Sequence, residues 1–247
     1  MSKISVVRLS IYTSLVFIAT IVLQIYTPAT RGYFNLGEVA IYSIASIASP
    51  VTTAIAAGIG SALADLLTGY GIFAPGTLII KASEGFIVSV LIRSLSKMKI
   101  RKARILSIII SAGVGVLIFI AGVKLWTGYV ELTSIPVNIL GFQATLLTLT
   151  MDISAFVWAL LGGVVALLMI YMIWSRGSEN ISTALSMSIG GFIMVMGYFL
   201  YEYFISNPLQ GIPSEAAFVE IPINLGQVLF GISLALPISS FMRKAVE

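Results

Sequence analysis

Lys81 and Glu84 stand three residues apart in the apolar stretch 76–95. On a helix that spacing puts both side chains on one face, where they can form an ion pair. Three roles fit such a pair: a structural staple, a contact to a bound substrate, or a proton relay. Asp65 precedes the turn Leu66-Leu67-Thr68-Gly69-Tyr70-Gly71, with Phe73 close behind. That segment is either a plain loop or one wall of a pocket, since flat ligands are gripped by aromatic stacking plus a few placed polar groups. Asn224 and Gln227 are again three apart, suited to interhelical hydrogen bonds or to ligand recognition. The segment Thr30-Arg31-Gly32-Tyr33-Phe34-Asn35-Leu36-Gly37-Glu38 mixes glycines with aromatic, amide and charged side chains and reads as a recognition loop that folds over a site.

The chain has no cysteine and no histidine. This removes disulfides, thiolate nucleophiles, His-based metal sites and the commonest general base at neutral pH. No Gly-x-x-x-x-Gly-Lys-Ser/Thr phosphate cradle occurs, and paired catalytic aspartates in adjacent apolar runs are lacking. No catalytic residue, metal ligand or cofactor is therefore expected. The residues above point to binding.

The elements that position these residues follow from composition. A hydrophobic fraction of 58%, a charged fraction of 10% and a mean hydropathy of +1.05 cannot coat a water-soluble globule. The solvent is lipid, where only helices and closed barrels satisfy the backbone, and the apolar runs lack barrel-type alternation. An all-α integral membrane protein is predicted. A charge at membrane depth costs roughly 2.5–3.5 kcal/mol even on lenient scales, so Lys81 and Glu84 must face the bundle interior or a water-filled cavity.

Apolar runs at 9–26, 36–49, 51–67, 76–95, 105–125, 153–174, 182–205 and 222–241 predict about eight spans. The first is too long for a signal-peptide core and lacks a clean cleavage site, so it is kept as a span. The second and third are split only by Ser49-Pro50 and read as a tight helical hairpin or as tilted partial spans. The segment 126–152, with an apolar patch from Ile139 to Leu149, reads as an outer loop with a re-entrant or interfacial part.

The net charge is +4, but the basic residues flank apolar runs as topology signals do, so nucleic acid is not an expected partner. With both termini in the cytoplasm, Lys3, Arg8, Lys97, Lys99, Arg101, Lys102, Arg104, Arg176, Arg243 and Lys244 fall inside. Glu38, Asp65, Glu131, Asp152, Glu202, Glu215 and Glu220 then fall toward the outside, with Arg31 and Lys124 as the main exceptions. The multi-pass chain is expected in the plasma membrane. Ser10 and Ser14 set small side chains four apart on the first span, suited to packing inside the bundle or to docking a partner subunit.

Five blocks carry a family resemblance: 32–38, 58–67, Phe73-Ala74-Pro75-Gly76-Thr77 through Lys81-Ala82-Ser83-Glu84-Gly85-Phe86, Gly197-Tyr198-Phe199-Leu200, and Glu220-Ile221-Pro222-Ile223-Asn224-Leu225-Gly226-Gln227. In this order they resemble the substrate-binding S components of energy-coupling factor (ECF) vitamin transporters, particularly the riboflavin-type group. The resemblance covers residues 1–98 and 182–247 and implies a six-helix core, with 105–175 as an inserted transmembrane hairpin and outer loop. It also implies capture of a vitamin or precursor from outside, riboflavin or a hydroxymethylpyrimidine- or thiamine-like molecule. The implied partners are a transmembrane coupling subunit and two ATPases, so that this chain hydrolyses nothing. The expected substrate site is Tyr33, Phe34, Asn35, Asp65, Tyr70, Phe73, Lys81, Glu84, Asn224 and Gln227, with Tyr198 and Glu202 as secondary candidates. Where the family carries a small-residue alanine motif for docking, this chain has Ser10 and Ser14, which weakens that inference. A stand-alone proton-coupled transporter using Lys81 and Glu84 is the alternative.

Overall fold

The structure, a computed structural model, describes residues 5–96, 98–133, 137–139, 142–144, 148–174 and 178–246. Lys3, Lys97 and Arg176 of the expected inner charges lie outside them, as does part of the 139–149 patch. Each predicted apolar run holds a helix. In chain order these are α1 (Val6–Val22), α2 (Gly37–Ala45), α3 (Pro50–Leu67), α4 (Ala74–Leu95), α5 (Ile100–Trp126), α6 (Ala155–Trp174), α7 (Ser178–Tyr201), the short α8 (Asn207–Leu209) and α9 (Ala217–Val246). The segments Pro50–Leu67, Arg101–Lys124, Ile181–Leu209 and Ser214–Arg243 are long and apolar enough to cross a membrane. The protein is an all-α membrane protein with a few short strands.

Two compact units form: Met1–Ile110 with Leu168–Glu247, and Ser111–Leu167. In the larger unit, α3 starts where Ser49 caps its first turn, accepting from the Thr52 amide at 3.3 Å, with Pro50 at the first helical position. It packs closely on α4, because a Cβ at Gly58 would lie 2.6 Å from the Leu78 carbonyl oxygen. Small residues at such crossings are the usual means of close packing in lipid.

Helix α2 has nine residues, about 14 Å of rise, against a hydrocarbon core of roughly 30 Å. It reaches only part of the way, as the partial-span expectation allowed. The carbonyls at its end and just beyond it, which lipid cannot satisfy, are met from α4. Arg93 donates to the Ala48 oxygen at 2.5 Å and to the Ala45 oxygen at 3.3 Å, and Ser89 adds a 3.0 Å bond to the Ala48 oxygen.

The first span ends earlier than predicted. Pro28 forces Thr27 into extended backbone, and residues 24–27 leave the helix to form strand β1 (Gln24–Thr27), which pairs antiparallel with β2 (Gly32–Asn35). The turn between them places Arg31 at φ 58°. At the other end of the larger unit, Trp174 donates to Ser107 at 3.0 Å and the Arg104 guanidinium lies 5.4 Å from the Trp174 ring centre. The last helix begins at Ala217 and carries Pro222 inside it, five residues before the predicted start.

In the smaller unit, strands β3 (Gly128–Thr133) and β6 (Thr148–Ile153) pair antiparallel, as do β4 (Val137–Ile139) and β5 (Phe142–Ala144). The segment expected to be re-entrant or interfacial thus contains paired strands. The α5 and α6 backbones touch at glycines, a Cβ at Gly115 lying 2.7 Å from the Gly162 oxygen.

Candidate functional site

Six parts of the larger unit converge on one polar cavity at the hairpin end of the bundle: β2, the end of α3, the start of α4, the end of α7, the turn after it and the start of α9. From β2 come Gly32, Tyr33 and Asn35; alternation along the strand sends Phe34 the other way, where it packs edge-on against Phe230 at 6.2 Å. Helix α3 supplies Asp65 in its last turn, and Phe73 and Thr77 stand where α4 begins. Glu220, Asn224 and Gln227 of α9, at i, i+4 and i+7, form one face.

Tyr198 comes from α7, and Glu202 opens the wide π-helical turn Glu202–Ser206, in which the Asn207 amide bonds the Glu202 carbonyl. Wide turns of this kind recur at functional sites. With the hairpin down the cavity volume is about 30 Å³, room for little more than a water molecule and far below the roughly 300–1,000 Å³ of small-molecule sites. Among the described residues no group of three or more His, Cys, Asp or Glu is placed to hold a metal ion.

Two hydrogen bonds tie the hairpin over the cavity: the Tyr33 hydroxyl donates to Asp65, and the Thr30 hydroxyl donates to Glu220. Gly32 makes room for the second, since a Cβ there would meet the Glu220 Oε1 at 3.1 Å. The Asn35 amide donates to Gln227 at 2.8 Å, and the Asn35 side-chain oxygen accepts from the Gly37 amide at 2.8 Å. Tyr70 does not line the cavity; its ring lies 4.2 Å from that of Tyr33 and braces it. Burial and then the nearby Asp65 carboxylate push the Tyr33 phenol above its ordinary value, so it remains a donor. Burial also raises Tyr70, followed by Tyr26 and Asp65.

Lys81 and Glu84 pair at 3.3 Å on one face of α4, as the spacing predicted, but they do not line the cavity. Lys81 also pairs with Glu38 of α2, and Glu84 accepts from the Tyr42 hydroxyl at 2.7 Å. All four side chains are buried. The Lys81 ammonium sits 5.4 Å from the centre of the Tyr198 ring, whose residue also lines the cavity. Of the expected site, Tyr33, Asn35, Asp65, Phe73, Asn224 and Gln227 come together, along with Tyr198 and Glu202. Phe34, Tyr70, Lys81 and Glu84 stand around that group. Sequence reasoning missed Thr77, Glu220 and Gly32 as lining residues, although all three lie in the blocks that carried the resemblance. Ser10 and Ser14 are exposed on the outer face of α1, away from the bundle core.

The larger unit is thus a helical membrane bundle with a buried polar cavity at one end. The chain belongs to the family of S components of ECF-type riboflavin transporters, whose family model matches residues 1–170. Members of this family are substrate-binding transporter components rather than enzymes. The match runs through much of the 105–175 segment. A curated relative, an uncharacterized protein in the gap 3' region of Pyrococcus woesei, is 42% identical over 73 residues, 30% of this chain. The matched part spans 49% of that relative, about half its length.

Proposed function

We propose that this chain captures a vitamin or vitamin precursor for an ECF-type ABC importer, with riboflavin or a hydroxymethylpyrimidine- or thiamine-like molecule as cargo. The observation that carries the reading is the polar cavity closed by the β1–β2 hairpin, with aromatic walls from Tyr33, Phe73 and Tyr198. Ligand enters from outside when the hairpin lifts. Tyr33 and Phe73 supply flat contact, and Asn35, Asp65, Asn224 and Gln227 fix identity. Phe34 and Tyr70 hold the hairpin's shape, and Lys81 and Glu84 fix the wall behind Tyr198.

Both termini lie in the cytoplasm in this reading, which sets the cavity on the outer side. Residues 1–98 and 182–247 form the capturing core and 105–175 an added hairpin. A transmembrane coupling subunit docks from the membrane, with exposed Ser10 and Ser14 of α1 within the contact, and two ATPases supply the energy. The test is to purify the chain in mild detergent, identify co-purified small molecules by mass spectrometry and titrate them calorimetrically. Saturable binding that Asn224→Ala weakens at least tenfold supports the assignment; a folded protein that binds no vitamin refutes it.

The buried Lys81, Glu38 and Glu84 cluster favours one alternative, a proton-coupled transporter acting alone. Uptake by this chain without partners, abolished by an uncoupler, is its signature.

A further inference from the structure

Three of the eleven residues lining the cavity are acids, Asp65, Glu202 and Glu220, and none is a lysine or arginine. Each acid is 2% exposed. Their hydrogen bonding is incomplete: Asp65 accepts from Tyr33 on one oxygen while its Oδ2 has no partner, and Glu202 Oε2 has none either. Glu220 accepts from Thr30. The nearby lysine, Lys81, is already held by Glu38 and Glu84. A buried polar atom without a partner costs about 1–3 kcal/mol, and more when charged, so the site is built to be completed by something that donates.

The acids do not gather into a metal cage. They stand on α3, on the turn after α7 and on α9, and the rings of Tyr33, Phe73 and Tyr198 line the same cavity. That arrangement suits a flat molecule whose donors are spread around its edge. A positive charge on the same molecule would gain from the carboxylates and from the ring faces together. An acceptor-rich or anionic ligand would meet unpaired carboxylate oxygens and lose on each.

We propose that the ligand is a cationic or readily protonated, amino-bearing flat nitrogen heterocycle, recognised by Asp65 and Glu202, in preference to a neutral, carbonyl-rich ring system such as the isoalloxazine of riboflavin. This deepens the capture reading and rests on it.

The experiment is calorimetric titration of the full chain in mild detergent with three probes: thiamine, 4-amino-5-hydroxymethyl-2-methylpyrimidine and riboflavin. One of the two amino-bearing probes is expected to bind at least tenfold more tightly than riboflavin, about 1.4 kcal/mol. Asp65→Asn and Glu202→Gln keep the shape and remove the charge, and each is expected to weaken that binding at least tenfold with the melting profile unchanged. Riboflavin binding more tightly than both other probes overturns the ligand class and leaves the capture reading standing. The ligand class is overturned in the same way if both variants, folded, bind the amino-bearing probe as the unaltered chain does. If a variant does not fold, the ranking of probes by the unaltered chain decides. If the folded chain binds none of the three, the ligand class falls, and the capture reading falls with it once a wider vitamin panel also fails.

Discussion

Replacing Lys81 by methionine tests what holds the half-length helix α2 against α4. Lys81 and Glu38 are each 1% exposed and Glu84 is fully buried, so the substitution leaves two carboxylates in the bundle without their cation. Glu84 keeps its 2.7 Å bond from Tyr42, but Glu38, whose Oε2 already has no partner, loses its ion pair. Removing one member of a buried ion pair costs about 3–5 kcal/mol. For a chain of this size each kcal/mol moves the melting temperature by roughly 2–4 °C, so the expected drop is roughly 6–20 °C. The assay is thermal melting in mild detergent followed by near-UV circular dichroism. The control is the triple variant Glu38→Gln, Lys81→Met, Glu84→Gln, which removes the charges together and is expected to melt within about 5 °C of the unaltered chain. If the single variant melts within about 2 °C of the unaltered chain, or the triple melts lower than the single, the ion-pair account of α2 is refuted.

Gly58→Val drives side-chain atoms into the Leu78 carbonyl on α4, and a loss of about 1–3 kcal/mol is expected in the same melting assay. Arg93→Leu strips the donors from the end of α2 and is expected to cost about 1–3 kcal/mol and to speed amide exchange over residues 44–49. Arg31→Gly releases a non-glycine residue from φ 58°, at an exposed turn, and is expected to stabilise the hairpin by about 1 kcal/mol, read as slower proteolysis between β1 and β2. The raised Tyr33 gives a pH prediction. Above its ordinary pKa of 10.0 the unfolded chain releases a proton that the folded chain retains, so stability falls as pH rises past 10. Tyr33→Phe is expected to flatten that part of the pH–melting curve.

The helices were legible because lipid demands long apolar runs, and each run found its helix. The depth of α2 was legible only as an ambiguity, since Ser49-Pro50 marks a break without saying how far the preceding helix reaches. Pro28 was the signal for the end of α1, where the hydrophobicity of Ile25 and Tyr26 masked a strand. In β2 the alternation of strand side chains separates Tyr33 and Asn35 from Phe34, which a loop reading could not do. The partner of Lys81 escaped notice because Glu38 lies 43 residues away and meets it through helix packing alone. Glu220 and Thr77 were missed for a similar reason: each is an ordinary polar residue near a helix end until six chain segments meet. The π-helical turn that holds Glu202 at the cavity has one visible correlate, Pro208, which cannot donate an amide in the helix behind it.

The two bonds that fasten the hairpin, Tyr33 to Asp65 and Thr30 to Glu220, have a kinetic consequence. Both acceptors belong to the cavity wall, so in the capture reading a cargo held by the partnerless oxygens of Asp65 and Glu202 sits directly behind the latch and passes only when both bonds break. Under that proposal, association runs at the rate of latch opening rather than of diffusion, and the apparent affinity is scaled down to the fraction of time the door stands open. Weakening the latch speeds arrival and departure alike. Residence time and capture rate are then set together by two hydroxyl groups, one on β2 and one in the turn before it.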